Sequence, residues 1–123
     1  PLFDARRQNV FSAVYEGKSM NTITADMHTS IDELLITLKS FNKRILFIGV
    51  DVELFWDKIV EVLGDQAVRA SSTDDLPRAS NLVALAKKEI LPNIEDTHHF
   101  VPQYRKIAEA EANWINDQKR VEK

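Results

Sequence analysis

The sequence predicts an all-α protein, a compact up-and-down bundle of about five helices over approximately 4–16, 20–48, 51–63, 75–91 and 102–121. Two observations predict it. The first is a ladder of apolar residues at alternating steps of four and three: Met27, Ile31, Leu34, Leu38, Phe41, Ile45, Ile48, Val52, Phe55, Ile59 and Val62. That spacing puts each side chain on one stripe of a helix. The second is the scarcity of turn residues, 3 Gly and 4 Pro in 123 residues, where a β-rich chain usually carries more. Hydrophobic residues at 44% and charged residues at 28% describe an ordinary globular chain, not a disordered one. Its length suits a single domain, 1–123, with a core that needs no staples.

The first helix is expected over 4–16. Phe3, Arg7, Val10, Phe11, Val14 and Tyr15 share a side, Asp4 favours the N-terminus, and Gly17 suits the position after the last turn. The second helix, 20–48, has two possible starts. Ser30-Ile31-Asp32-Glu33 matches the S-x-x-E capping box and would open it at Ile31. Met20, Ile23 and Met27 already keep helical spacing, and the earlier start is preferred, although Asn21, Thr22, Thr24 and Thr29 are poor helix formers.

Unbroken, the ladder from Met27 to Val62 would make a rod of roughly 54 Å, against about 35 Å for a compact domain of this length. A break at Gly49 resolves the conflict, with Asp51 capping a third helix over 51–63. The alternative is a long helix in a homodimer. Apolar flanks at Leu46, Phe47, Leu54 and Val60 favour a broad-striped globular core over a coiled coil. A competing reading makes Arg44–Asp51 a buried strand, but it finds no convincing partner strand. Residues 69–75 read as a polar loop. Pro77 falls in the first turn of the fourth helix, 75–91, with Leu76, Ala79, Val83, Ala86 and Ile90 as its stripe. Pro92 ends it. Pro102 opens the last helix, 102–121, where Tyr104, Ile107, Ala108, Trp114, Ile115 and Val121 share a face.

The chain has no cysteine, which excludes disulfides, thiolate zinc sites and cysteine nucleophiles. It has no G-x-S-x-G elbow and no glycine-rich phosphate loop. Glu95, Asp96 and His99 form a weak metal candidate: on a helix, Glu95 and Asp96 would each face His99. Only His28 and His98 could add an imidazole, so a solvated polar loop is the simpler reading. No cofactor is expected. The adjacent carboxylates Asp74 and Asp75 read as helix caps.

Net charge is −3, and residues 49–101 hold ten acidic against five basic side chains. Such a balance argues against sequence-independent nucleic-acid binding. No run is long enough to span a bilayer. Asp51, Glu53, Asp57 and Glu61 surround Trp56, a residue type enriched at binding hot spots. An acidic face of that kind steers toward a basic protein partner. The sequence therefore predicts a non-enzymatic protein-interaction module, of inhibitor, immunity, adaptor or effector type, with Asp51, Glu53, Trp56, Asp57 and Glu61 as its contact face. The alternative is a helical-bundle carrier of a lipid or other apolar ligand. Nothing in the residues indicates the compartment.

Overall fold

The computed structural model describes residues 1–87, 97–106 and 114. The chain forms two compact units, Pro1–Leu91 and Pro92–Lys123, and the elements below lie in the first. In chain order they are β1 (Leu2–Asp4), β2 (Asn9–Tyr15), β3 (Thr22–Ser30), α1 (Ile31–Ser40), β4 (Ile45–Phe47), α2 (Val52–Leu63), a 3-10 turn (Gly64–Gln66), β5 (Ala67–Arg69) and α3 (Ala79–Ala86). This is an α/β architecture, and it corrects the expected five-helix bundle.

The span 4–16 is a β-hairpin rather than a helix. Val10, Phe11, Val14 and Tyr15 are β-branched and aromatic, types that suit a half-buried pleated surface. β1 and β2 pair antiparallel through Leu2↔Ser12, Phe3↔Phe11 and Asp4↔Val10. No glycine makes the turn. Arg6, Arg7 and Gln8 adopt left-handed backbone in succession, with φ of 71°, 55° and 61°. Several bonds hold them there. The Ala5 N–H donates to the Asn9 carbonyl (2.8 Å) and the Asn9 N–H to the Arg6 carbonyl (3.0 Å). The Asn9 side-chain amide reaches the carbonyls of Arg6 and Arg7, and the Arg6 N–H donates to Asp4 Oδ1 at 2.9 Å.

In the span 20–30, expected to begin the long helix, Thr22–Ser30 form β3. It pairs antiparallel with β2 from Asn9↔Ser30 to Tyr15↔Thr22, with irregularities on either side of Val14. The threonines that made a poor helix make a serviceable strand. α1 starts where the capping box puts it: Ser30 is the N-cap and its hydroxyl accepts from the Glu33 N–H. The Ile31 N–H donates to the Gln8 carbonyl at 2.9 Å, which ties the start of α1 to the arginine turn. The helix stops at Phe41, and Asn42 follows with φ 49°.

Between α1 and α2 the ladder passes through a strand. β4 runs parallel to β5 in the register Ile45↔Ala67, Leu46↔Val68, Phe47↔Arg69. The partner that sequence reading lacked is three residues long and follows Gly64–Gln66. α2 matches its expected span closely. The Leu2 N–H donates to the Ile48 carbonyl at 2.9 Å, so β1 meets the end of β4 and the two sheets abut. One core lies between the sheets and the paired helices: Leu2, Val10, Ile31, Leu34, Leu35, Leu38, Phe47, Val52, Phe55, Ile59 and Leu63. On the rim of the helix pair, Lys58 bridges to Asp32 at 2.8 Å.

The last two expected helices are described only in part. In the fourth span the described helix is only Ala79–Ala86, and none of its residues is buried. Asp75, placed at that helix's start by sequence, sits in the preceding loop. Residues 102–106 carry no helix, and 107–113 and 115–121 of the expected last helix lie outside the described residues; Trp114, expected in the core, is 63% exposed. No helix among the described residues is long and apolar enough to cross a membrane.

Candidate functional site

In open sheets with parallel strands, ligand crevices form beyond the carboxyl ends of the strands. β4 and β5 bring two such ends together. β4 runs through Ile48 into Gly49, and β5 runs through Ala70 into a polar loop ending at Asp75. The Ala70 N–H donates to the Phe47 carbonyl (2.9 Å), which carries the pairing one step past β5.

Gly49 is the hub. Its φ is +133°, and a Cβ built on it would lie inside the 3.0 Å floor against the Leu2 carbonyl oxygen. Only glycine lets β1 approach this closely. The Gly49 N–H donates to Asp75 Oδ1 at 2.9 Å. Arg69 completes a clasp, its Nη1 donating to Asp75 Oδ1 at 3.0 Å and its Nη2 to Oδ2 at 2.7 Å. Asp75 is buried. The Arg69 hydrogen bonds, then the one from Gly49, hold its carboxyl below the usual carboxylate range, against the opposing effect of burial. Nearby, the Asp4 N–H donates to Asp51 Oδ2 at 2.9 Å, fixing β1 to the residue before α2.

Beside the clasp opens a cleft of about 370 Å³ lined by Ile48, Thr73, Asp74, Leu76, Arg78 and Asn81. A mostly polar lining of a carboxylate, a guanidinium, a hydroxyl and an amide, beside Ile48 and Leu76, can seat a small polar group by charge and hydrogen bonds. Arg78 Nη2 also leans on the Thr73 carbonyl at 3.4 Å.

A second surface is built by the hairpin. The sheet alternates, so Leu2 and Val10 enter the core while Phe3 and Phe11 lie on the opposite face. Phe11 is opposite both Phe3 and His28 in the strand register, and the Phe11 and His28 ring centroids are 5.2 Å apart. His28 Nε2 is buried with no hydrogen-bond partner among the described residues. Phe3 is 37% exposed. Arg6 and Arg7 are exposed at the hairpin tip, two and three residues past Asp4.

The face expected from sequence is distributed differently. Glu53, Asp57 and Glu61 are exposed along α2, with Glu53 4.0 Å from Arg69. Asp51 is partly buried and engaged with β1. Trp56 packs against the core margin, edge-on to Phe47 at 6.4 Å. Of the metal candidate, Glu95 and Asp96 lie outside the described residues, and His99 is exposed. Among the described residues no group of three or more His, Asp or Glu is placed to hold a metal.

Sequence reading missed Gly49 as a contact point and took Asp75 for a cap. An apolar run ending in Gly, with an Arg–Asp pair bracketing a later loop, was the available signal.

No family model matches the chain, and no solved structure matches it. A curated relative does: the tRNA threonylcarbamoyladenosine biosynthesis protein TsaB of Bacillus subtilis (strain 168), 35% identical over 121 residues, which is 97% of this chain and 52% of that protein. The chain thus spans about half the length of its relative. The likeness and the α/β fold overturn the expected helical interaction module and the bundle carrier of apolar ligands. The relative's name concerns tRNA biosynthesis and leaves open whether the protein is itself a catalyst.

Proposed function

We propose that this chain is part of a protein serving threonylcarbamoyladenosine biosynthesis on tRNA, in an accessory, non-catalytic capacity beside a protein partner that performs the chemistry. The observation that carries the pathway is the 35% identity running through 97% of the chain. Likeness spread over that length reflects shared structure, not one short motif. The accessory role draws on the site beside Gly49. A general acid or base needs a pKa near the working pH and reach to substrate. The buried carboxylate there is Asp75, whose oxygens serve Arg69 and Gly49 and whose pKa is displaced away from neutrality. Its chemistry is that of a clasp that shapes the neighbouring cleft.

A chimera tests the pathway. This chain replaces the matching stretch of the Bacillus subtilis protein in cells depleted of their own copy, and nucleosides from digested tRNA are quantified by mass spectrometry. Threonylcarbamoyladenosine close to the normal level is expected. Its loss from cells that accumulate the chimera normally overturns the assignment. Asp74→Asn and Arg78→Gln in the chimera test the accessory role, with modification expected to fall less than tenfold. A fall of about a hundredfold or more, the scale of a lost catalytic acid or base, would make that group catalytic.

A further inference from the structure

We propose that the cleft beside the Gly49–Asp75 clasp is a binding site for a free α-amino acid with an apolar side chain. Arg78 takes its carboxylate, Asp74 its ammonium group, and Ile48 with Leu76 its side chain. The ligand is held and not transformed, and the inference stands independently of the tRNA-linked reading above.

Three observations support it. The first is a pair of opposite charges that share one cleft without neutralising each other. Asp74 and Arg78 both line it, and among the described residues no ion pair joins them. A cation entering the cleft would be repelled by Arg78 and an anion by Asp74. A neutral ligand would take both groups out of water and return no charge. A zwitterion satisfies both. In an α-amino acid the ammonium and the carboxylate are carried on one carbon, so both charged heads enter together. The guanidinium suits the carboxylate because its planar fork meets both oxygens.

The second is the fit of the remaining lining. Thr73 and Asn81 add a hydroxyl and an amide, groups that can accept from an ammonium or donate to a carboxylate. Ile48 and Leu76 are the apolar part, and Leu76 is 62% exposed. An apolar side chain laid against them removes that surface from water. The cleft volume of about 370 Å³ stands at the small end of ligand pockets, which favours a ligand the size of one amino acid.

The third is that the loop carrying both charges is fastened. Between them in the chain lies Asp75, held by the Gly49 N–H and by both terminal nitrogens of Arg69. Upstream, the Asp74 N–H donates to the Ser71 carbonyl at 2.9 Å, and the Ser71 and Thr73 hydroxyls share a hydrogen bond of the same length. Downstream, Arg78 is the N-cap of α3 and leans its guanidinium on the Thr73 carbonyl. Asp74 and Arg78 thus project from either side of one anchored residue. A site fixed in advance loses little freedom when it binds. It also lies at the carboxyl ends of β4 and β5, where parallel strands leave their crevice.

The test follows the backbone amide signals of the whole isotope-labelled chain by nuclear magnetic resonance, at fixed pH and ionic strength. The probes are L-leucine, isoamylamine, which lacks the carboxylate, and 4-methylpentanoate, which lacks the ammonium group. L-Leucine is expected to give saturable shifts centred on Ile48, Gly49 and the span 73–81, with a Kd on the order of 1 mM or below. Each single-headed analogue should bind about tenfold more weakly, the scale of one hydrogen bond to a charged group. Arg78→Gln and Asp74→Asn should each weaken L-leucine by about tenfold as well, and Asp74→Asn should abolish the preference for L-leucine over 4-methylpentanoate. Both residues are exposed, so the variants should keep the fold, and unchanged amide signals across β1, β2 and α1 verify it. No saturable shift up to about 10 mM L-leucine, ten times that Kd, overturns the proposal. So do shifts centred on other residues, equal affinity for the three probes, or wild-type affinity in both variants.

Discussion

Gly49→Ala should melt at a markedly lower temperature than the wild-type chain. Two costs combine. At φ +133° an L side chain is strained by about 1–3 kcal/mol. The new Cβ would also collide with the Leu2 carbonyl oxygen, with Leu2 C and N at 3.4 Å. That oxygen is backbone, and Leu2 is anchored to Ile48 by its own N–H. Relief requires β1 to move, an overpacking cost of about 1–3 kcal/mol. The sum centres on about 4 kcal/mol. A unit covering Pro1–Leu91 has a total stability of roughly 5–14 kcal/mol, so the loss is a large share. At about 4–8 °C per kcal/mol for this size, the melting temperature should drop by roughly 16–32 °C. The assay is thermal denaturation followed by circular dichroism, with two controls. Gly17, with nothing within 4 Å of a built Cβ, should accept alanine within about 0.5 kcal/mol. Gly64 has room but a φ of +53°, so alanine there should cost about 1 kcal/mol. A Gly49→Ala protein melting within about 3 °C of wild type would refute the account of β1 docking.

Three further outcomes are expected. The lowered pKa of Asp75 contributes stability that is full above the unfolded value of about 3.8 and lost as pH falls through the native value; Asp75→Asn should melt lower at pH 7 and show a flatter acid limb between pH 4 and pH 2. Ser30→Ala removes the cap of α1 and should cost about 1 kcal/mol in urea denaturation. Ile59→Ala, at a fully buried position, should cost about 2–5 kcal/mol, whereas Leu54→Ala, exposed on the same helix, should stay within about 0.5 kcal/mol.

Apolar periodicity revealed which residues are buried better than which element buries them. Leu34, Leu38, Val52, Phe55 and Ile59 all enter the core, on the two helices that the 4-3 spacing and the Ser30 box indicate. The ladder misled at its start, where Met27 lies in β3, and where it crossed β4. Ile45, Leu46, Phe47 and Ile48 form a continuous apolar run, and periodicity cannot separate a buried parallel strand from a buried helix turn. Its partner, Ala67–Arg69, is too short to announce itself. The hairpins were hidden for a different reason. Turns are sought through Gly, Asn and Pro, and here Arg6, Arg7, Gln8 and Met20 take the positive φ angles. The site was less legible than the fold. Asp75 gains its role from Gly49, 26 residues away, and no local pattern encodes that distance. Trp56, expected on the contact face, packs at the core margin edge-on to Phe47.

The anchoring of β1 has a consequence for how the chain reaches its native state. The Asp4 bond to Asp51 spans 47 positions, and Leu2 waits for Ile48 in the same way. During synthesis the first hairpin can emerge and pair early, yet its leading strand has no neighbour on the other side until β4 and the start of α2 have left the ribosome. Closure of such long loops is slow compared with forming α1 or α2. β1, made before β4 and α2, is therefore secured only after them, and in that interval the Leu2 side chain and an open strand edge are exposed to other nascent chains.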